Sequence, residues 1–284
     1  MPIEKVAGLD VHYEVRGTGP ALLMFAPGGF DATIEKWSTA GVWKTLRPLD
    51  SLTRDFTLIA YDRRESGSSG GRIEPLSWKV IAEQGRHLLD HVGIDRAFVL
   101  GGCMGCSVAA AFVAQFPERC IGAILHWPVG GYRWRVMGRE RFDAHIDLVR
   151  AEGLAAAVER ARKAGSFWAD PSAGPWASVI ARDQAFAQTY LQQPAARYLG
   201  TVAVSRDALF PDNQPTGVAP DELLGFQTPT LIIGGNDEVH TRSAAWTLHE
   251  LIPNARIAPQ FPPDQNAELV TAWIREFVQS VGAA

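Results

Sequence analysis

The sequence predicts an α/β protein: a doubly wound, mainly parallel sheet with a helical cap inserted into it. Apolar runs such as residues 21–25 and 57–61 are typical of strands buried on both faces. A helical pattern follows at residues 78–92, and strands that alternate with helices indicate a parallel sheet. The alternation stops after Gly130 and resumes near Thr230, which predicts the insertion.

This interruption divides the chain into three predicted segments. Residues 1–130 form the first part of the sheet domain, residues 131–222 form the helical cap, and residues 223–284 complete the sheet domain. Inside the cap, helical stretches at 142–164 and 179–191 are separated by Pro/Gly joints, without a buried strand pattern between them.

The strand after the first long helix leads into a glycine-flanked cysteine and then directly into a helix of small residues. The spacing Gly101-x-Cys103-x-Gly105 is that of a nucleophile elbow, a strained strand-to-helix turn that exposes one side chain. The positive end of the following helix stabilises a thiolate and a developing oxyanion. Cys103 is therefore the predicted nucleophile, and the backbone N–H of Met104 is a predicted oxyanion donor.

Cys103 has two alternative interpretations. Together with Cys106 it forms a C-x-x-C pair at a helix start, which is the arrangement of thioredoxin-like redox sites. It also fits a small buried residue in a tight turn. We favour the nucleophile because the elbow exposes this side chain, whereas position 106 follows the elbow glycine, where packing favours a small residue.

The order of these parts resembles the α/β-hydrolase fold over nearly the whole chain. Residues 27–29 resemble the family's oxyanion turn, which implies Gly29 as the second oxyanion donor. Residues 62–69 resemble its Asp-x-Arg-Gly-x-Gly-x-Ser turn, with Glu65 in place of a glycine. A cysteine at the elbow resembles dienelactone hydrolases and polyhydroxyalkanoate synthases.

The predicted base departs from the family pattern. Family members usually carry the catalytic histidine after the last strand, but no histidine follows His249, and Gln265 occupies that position by spacing. Gly-Gly-Asn-Asp at 234–237 resembles the turn of the triad acid, which implies Asp237. His240 lies three residues further on, so we predict Asp237 and His240 as acid and base, with a solvated surface histidine as the alternative.

His126 is the other candidate base, at the end of the strand beside the elbow strand. Adjacent side chains of a strand point to opposite faces. Trp127 falls where some family members place an acid, so we predict that Trp127 faces the site and His126 is packed and hydrogen-bonded. Trp127, Phe30 and Trp134 are the aromatic residues predicted to bind substrate, with core packing as their alternative.

Composition narrows the class of protein. A net charge of −4 gives no footprint for nucleic acid or an anionic membrane, and the sequence contains no apolar run that spans a bilayer. Met1 to Lys5 lack the pattern of a signal peptide, and three cysteines do not suggest a disulfide framework, so we expect a cytoplasmic protein. The sequence contains no phosphate loop, dinucleotide motif or metal-ligand cluster, and we expect no cofactor or metal.

These residues and the resemblance together predict a hydrolase for a small or medium apolar ester, thioester or lactone, acting through a Cys103 acyl-enzyme. The expected partner is a small-molecule substrate. Two alternatives stay open: a non-hydrolytic ligand-binding protein or pseudoenzyme of the same fold, and an acyltransferase that uses Cys103. The sequence also leaves open whether the chain forms a homodimer.

Overall fold

The computed structural model describes residues 3–212 and 216–282. Met1 and Pro2, on which the expected location partly depends, and residues 213–215 of the predicted cap lie outside these ranges. The described residues form one eight-stranded sheet with helices on both faces. In chain order, its strands are β1 (Ile3–Val6), β2 (Leu9–Arg16), β3 (Ala21–Phe25), β4 (Thr57–Tyr61), β5 (Ala97–Gly102), β6 (Cys120–His126), β7 (Thr230–Ile233) and β8 (Ala255–Ile257).

The helices lie between and after these strands. They are α1 (Lys36–Thr39), α2 (Trp43–Leu46), α3 (Pro48–Ser51), α4 (Trp78–His91), α5 (Gly105–Gln115), α6 (Tyr132–Ala164), α7 (Ala177–Arg182), α8 (Gln184–Leu191), α9 (Ala195–Leu209), α10 (Pro220–Leu224), α11 (Arg242–Leu251) and α12 (Ala267–Gly282). Across the part of the chain that the structure describes, none of them combines the length and apolar character needed to cross a membrane.

The strand order is β1-β2-β4-β3-β5-β6-β7-β8, which confirms the predicted mainly parallel sheet. The pairs β1–β2 and β2–β4 are antiparallel, and the pairs from β4 to β8 are parallel. The carboxyl ends of β3, β5, β6 and β7 therefore meet at one edge of the sheet. Ligands of open α/β sheets bind in the crevice at this edge.

The core has two layers because both faces of the central strands are covered. Leu23 and Val99 pack on the side of α4 and α5, whereas Leu22 and Leu100 pack on the side of α1, α2 and α12. All four side chains are fully buried, and each contributes roughly 2 kcal/mol of hydrophobic stabilisation. This explains why these strands read as unbroken apolar runs.

Among the described residues between β6 and β7, the helices α6 to α10 alternate with turns, and no strand of the sheet lies in this segment. Its long first helix kinks at Gly153, where the backbone is left-handed with a φ of 81°. Buried His145 links two parts of this segment, with Nδ1 2.7 Å from the Ser172 carbonyl oxygen and Nε2 2.6 Å from the Tyr198 hydroxyl.

The sequence analysis did not predict β1 or the three short helices α1 to α3. A helix of four residues is too short to show a helical period, so only tertiary packing defines it. Trp37 and Trp43 supply that packing, since both are buried against the sheet.

The turn at residues 62–69 shows the consequence of replacing the family's glycine. Glu65 adopts a left-handed backbone with a φ of 63°, a conformation that favours glycine. Its side chain is nonetheless buried and accepts a 2.9 Å hydrogen bond from Arg64 Nε. Asp62 closes the turn by accepting the N–H groups of Ile34 and Ser68 at 2.9 and 2.8 Å.

Candidate active site

Cys103 lies in the turn between β5 and α5, with a left-handed φ of 53°. A non-glycine residue in this region costs about 1–3 kcal/mol, which the tight packing of the turn must offset. A Cβ added to Gly105 would lie 2.1 Å from the Phe25 carbonyl oxygen, and one added to Gly101 would lie 2.5 Å from the Gly105 oxygen. The flanking glycines are therefore required by backbone crossings, and Cys103 itself stays partly exposed.

His240 and Asp237 form a hydrogen-bonded pair in the loop between β7 and α11. The Nδ1 atom of His240 is 2.9 and 2.8 Å from the two carboxylate oxygens of Asp237. Oδ1 of Asp237 also accepts the backbone N–H groups of Val239 and His240 at 2.9 and 2.8 Å. These bonds hold the pKa of Asp237 below its ordinary value, although partial burial acts in the opposite direction.

The imidazole of His240 is polarised from both sides. Burial lowers its pKa, but the contacts with Cys103 and Asp237 outweigh burial and raise the pKa to about 9. Its buried Nε2 forms no hydrogen bond of regular geometry within residues 3–212 and 216–282. Loose contacts of this kind are common in unliganded active sites and tighten when substrate binds.

Trp127 and Gln265 pack against this pair. The Trp127 ring lies 5.5 Å from the His240 ring, and its Nε1 donates a 2.7 Å hydrogen bond to Oε1 of Gln265. Nε2 of Gln265 donates to the carbonyl oxygens of Gly234 and Gln260 at 2.8 and 2.9 Å. Through these three hydrogen bonds, the Gln265 side chain connects Trp127 with the backbone at Gly234 and Gln260.

His126 is buried in the core and does not act as an accessible base. It is 1 % exposed, and its Nδ1 accepts a 3.0 Å hydrogen bond from Trp43 Nε1. Burial, together with nearby His240, lowers the pKa of His126 to about 3. With so low a pKa the ring takes up a proton only weakly at physiological pH, which makes it a poor base.

The glycine turn after β3 faces the elbow. Gly28 and Gly29 both have positive φ angles, of 114° and 64°. Gly29 and Met104 line the same small cavity, with a volume of about 10 Å³. Trp168, from the helical segment, covers the turn so closely that a Cβ on Gly29 would lie 2.9 Å from its ring.

The other two residues predicted to bind substrate, Phe30 and Trp134, do not pack against the His240–Asp237 pair as Trp127 does. Phe30 is buried among Phe142, Phe167 and Phe210, at ring distances of 5.0–6.2 Å. Trp134 lines a larger cavity of about 370 Å³, which includes Ser107 of α5 but not Cys103 among its lining residues.

The sequence analysis assigned no individual role at this site to Trp43, Arg63 or Trp168, although Trp168 is one of several aromatic residues that it expected in the inserted segment. Trp43 and Trp168 reach it from segments without a periodic pattern, so no local signal identified them. Arg63 had one available signal, because it is the first of two consecutive arginines directly after a buried strand and its Asp.

The fold and the elbow define a class of protein: a mainly parallel α/β sheet whose central strand β5 ends at a partly exposed cysteine in a tight strand-to-helix turn. The sequence profile of the alpha/beta hydrolase fold family matches residues 21–260. The chain therefore belongs to the α/β hydrolase family.

Individual relatives are more distant. The putative carbamate hydrolase RutD of Azorhizobium caulinodans is 28% identical over 264 residues, covering 91% of this chain and 89% of that protein. A dihydrolipoyllysine-residue acetyltransferase component of the acetoin cleaving system from Cupriavidus necator is 30% identical over 125 residues. That match spans 44% of this chain and less than a third, 31%, of the relative.

Two solved structures illustrate the shared fold. The enol-lactonase of Burkholderia xenovorans superposes with a TM-score of 0.62 at 19% identity, covering 98% of this chain and 100% of that one. A thermophilic esterase of Thermogutta terrifontis gives 0.60 at 23% identity, covering 96% and 94%. At these identities the similarity shows the fold alone.

Proposed function

We propose that this α/β hydrolase cleaves small or medium apolar esters, thioesters or lactones through a Cys103 acyl-enzyme. One observation carries the proposal: His240 is hydrogen-bonded to Asp237 through Nδ1 while Cys103 raises the pKa of the same ring. A nucleophile, a base and an orienting acid in that relation form a catalytic triad.

The chemistry follows from this arrangement. The Cys103 thiolate attacks the substrate carbonyl carbon, and the N–H groups of Gly29 and Met104 stabilise the resulting oxyanion. His240, protonated and held by Asp237, gives its proton to the leaving group as the carbon–leaving-group bond breaks. His240 then takes a proton from water, which attacks the acyl-enzyme and releases the acid and the Cys103 thiolate.

The surroundings of the site favour an apolar acyl group. Trp168 covers Gly29 and is 46 % exposed, so an aromatic surface borders the position of the carbonyl. We assign Trp127 to support of the His240 ring, and Trp134 to the wall of the 370 Å³ cavity. The carbamate-hydrolase name of one relative and the enol-lactonase name of one structural neighbour support a small carbonyl substrate.

The proposal is tested by alkylation and turnover. One equivalent of iodoacetamide, or Cys103→Ala, is expected to abolish hydrolysis of p-nitrophenyl butyrate and of an acyl thioester. Cys120→Ala is the control, because Cys120 is a buried thiol at the start of β6 and leaves the site intact. Full turnover by Cys103→Ala would contradict the nucleophile. A wild-type protein that binds such esters without turnover would instead be a receptor of this fold.

An acyltransferase is the second candidate, because relatives named as acetyltransferases match parts of the chain. A homoserine O-acetyltransferase of Thermus thermophilus is 36% identical over 61 residues, or 22% of this chain. Hydrolysis and transfer share the acyl-enzyme and differ in the nucleophile that resolves it. Product analysis with added alcohols and amines separates them: we expect the free acid as the main product.

A further inference from the structure

Two adjacent arginines of the 62–69 turn are buried, but only one has a charge partner. Arg64 forms ion pairs with Glu65 at 2.9 Å and with Glu74 at 2.6 Å. Arg63 is 5 % exposed and forms no ion pair with a carboxylate of the described residues, although Glu65 and Asp31 are near enough to raise its pKa against the effect of burial. A buried cation without a direct ion pair is costly, so its hydrogen bonds indicate what it does.

Two of the three hydrogen bonds from Arg63 connect it with the oxyanion turn. Nη1 donates to the Gly29 carbonyl oxygen at 3.2 Å, and Nη2 donates to Ser66 Oγ at 3.3 Å. Ser66 Oγ in turn donates to the Phe30 carbonyl oxygen at 3.1 Å, and the Arg63 guanidinium lies 5.4 Å from the Phe30 ring centre. Nε completes the set by donating to the Arg64 carbonyl oxygen at 3.3 Å. Arg63 therefore fixes the Gly29 carbonyl group directly and the Phe30 carbonyl group through the Ser66 hydroxyl.

Arg63 also shares a cavity with both predicted oxyanion donors. The cavity of about 10 Å³ is lined by Arg63, Gly29, Met104 and Gly105, among other residues. This volume is too small for a substrate group, so Arg63 acts on the oxyanion through the turn and through its field. Burial lowers the pKa of Arg63 to about 10, and the guanidinium stays protonated at neutral pH. A charge in such a water-poor site acts more strongly than it would in water.

We propose that Arg63 is a positioning residue of the oxyanion hole: it fixes the backbone on the carbonyl side of Gly29, next to the Gly29 N–H, and places a buried positive charge near the developing oxyanion. This inference rests on the proposed acyl chemistry. It assigns a role to the second position of the 62–69 turn, whereas the ion-paired Arg64 has a structural role in the same turn.

The test compares Arg63→Met, Arg63→Gln and Arg63→Lys in p-nitrophenyl butyrate hydrolysis. We expect Met and Gln to lower kcat roughly 10- to 100-fold, less than the loss of a direct oxyanion donor, with KM changed less than twofold. Lys keeps the charge, so its kcat should lie clearly above those of the Met and Gln variants. The inhibition constant of butyraldehyde, whose adduct with Cys103 carries an oxyanion, should rise by the same factor as kcat falls.

A second readout separates this role from a general structural one. Alkylation of Cys103 by iodoacetamide forms no oxyanion, so its rate should change less than twofold in all three variants. Arg182→Gln is the matched control, because Arg182 also donates to backbone carbonyls of this turn, at Ser68 and Ser69, without contacting Gly29. It should keep the wild-type kcat.

Three outcomes would overturn the inference. Wild-type kcat in the Met and Gln variants would show that Arg63 does not serve the oxyanion. Equal losses in turnover and in the rate of alkylation would show that the whole elbow has shifted. If circular dichroism shows that the Met variant is unfolded, the same comparison is made with the Gln and Lys variants. A wild-type protein without turnover or aldehyde binding would overturn the proposed function itself, and the role of Arg63 with it.

Discussion

The imidazole of His240 and the carboxylate of Asp237, three residues apart, form their hydrogen bond within a single loop. The Nδ1 atom of His240 lies 2.8 Å from Oδ2, while Oδ1 also accepts the backbone N–H groups of Val239 and His240. The backbone of the loop therefore fixes the carboxylate that orients the ring. In this protein one segment provides two groups that the family usually draws from two separate loops.

The first prediction concerns the base. His240→Ala should lower kcat for ester hydrolysis roughly 100-fold or more, because a general base contributes about that factor. The loss should shrink as pH rises, since hydroxide then forms the thiolate that the base otherwise forms. Initial rates of wild type and variant between pH 6 and 9.5 measure both effects.

His126→Ala is the control for that series. It removes a buried ring whose Nδ1 accepts from Trp43, so it should cost about 1–3 kcal/mol of stability while changing kcat far less. The proposed triad would be contradicted if His240→Ala kept nearly full activity while Cys103→Ala was inactive. A loss that does not vary with pH would mean that His240 only shapes the loop.

The second prediction concerns stability and pH. The folded state raises the pKa of His240 from an ordinary 6.5 to about 9, so folding favours the protonated ring. This contribution, on the order of 3 kcal/mol, is fully present below pH 6.5 and is lost as pH rises through about 9. Urea unfolding at pH 6 and pH 9.5 should show this loss in wild type and not in His240→Gln.

Cys103→Ala provides the matched comparison in the same measurement. The contacts of His240 with Cys103 raise its pKa more than those with Asp237, so removal of the sulfur should reduce the pH dependence substantially. Identical pH dependence in wild type and His240→Gln would refute the raised pKa.

The third prediction orders the three thiols by reactivity. Burial raises the pKa of Cys106 well above its ordinary value, and burial, aided by Glu118, raises the pKa of Cys120 to about 12. Cys103 alone is partly exposed. Brief, substoichiometric alkylation followed by peptide mapping should therefore find most of the label on Cys103 at each pH. Preferential labelling of Cys106 or Cys120 would contradict the elbow interpretation of Cys103.

The fourth prediction tests the packing of the elbow. Gly105→Ala would place a Cβ 2.1 Å from the Phe25 carbonyl oxygen, so the turn and β3 must separate. We expect a loss of about 3 kcal/mol in the free energy of unfolding, with much lower activity. Gly200→Ala is the control, since a Cβ there meets no atom within 4 Å and alanine should stabilise α9 by about 0.5–1 kcal/mol. Equal stability of both variants would contradict a tight backbone crossing at Gly105.

The sequence was informative wherever a local pattern reflects a physical constraint. The central strands were recognisable because both of their faces are buried, and the elbow because two backbone crossings require Gly101 and Gly105. The short spacing between Asp237 and His240 indicated their hydrogen bond before the coordinates gave its length.

Contacts between distant segments left no such pattern. Trp168 reaches Gly29 from 139 residues away by numbering, and Trp43 reaches His126 from 83 residues away. In the sequence, each of these residues taken alone looks like an ordinary aromatic residue, histidine or loop glycine. The missing ion pair of Arg63 was equally hidden, since its neighbour Arg64 binds Glu65 and Glu74 only in the folded turn.

The position of Gln265 in the chain shows in which order the parts of the site are synthesised. Its amide holds Trp127 and two loops, while every group that we assign to bond making lies at or before His240. During synthesis from the N-terminus, the ribosome therefore adds all of these reacting groups to the chain before it translates β8 and α12. The residues after His240 add none of the groups that we assign to bond making; through Gln265 they hold in place a loop that is already synthesised.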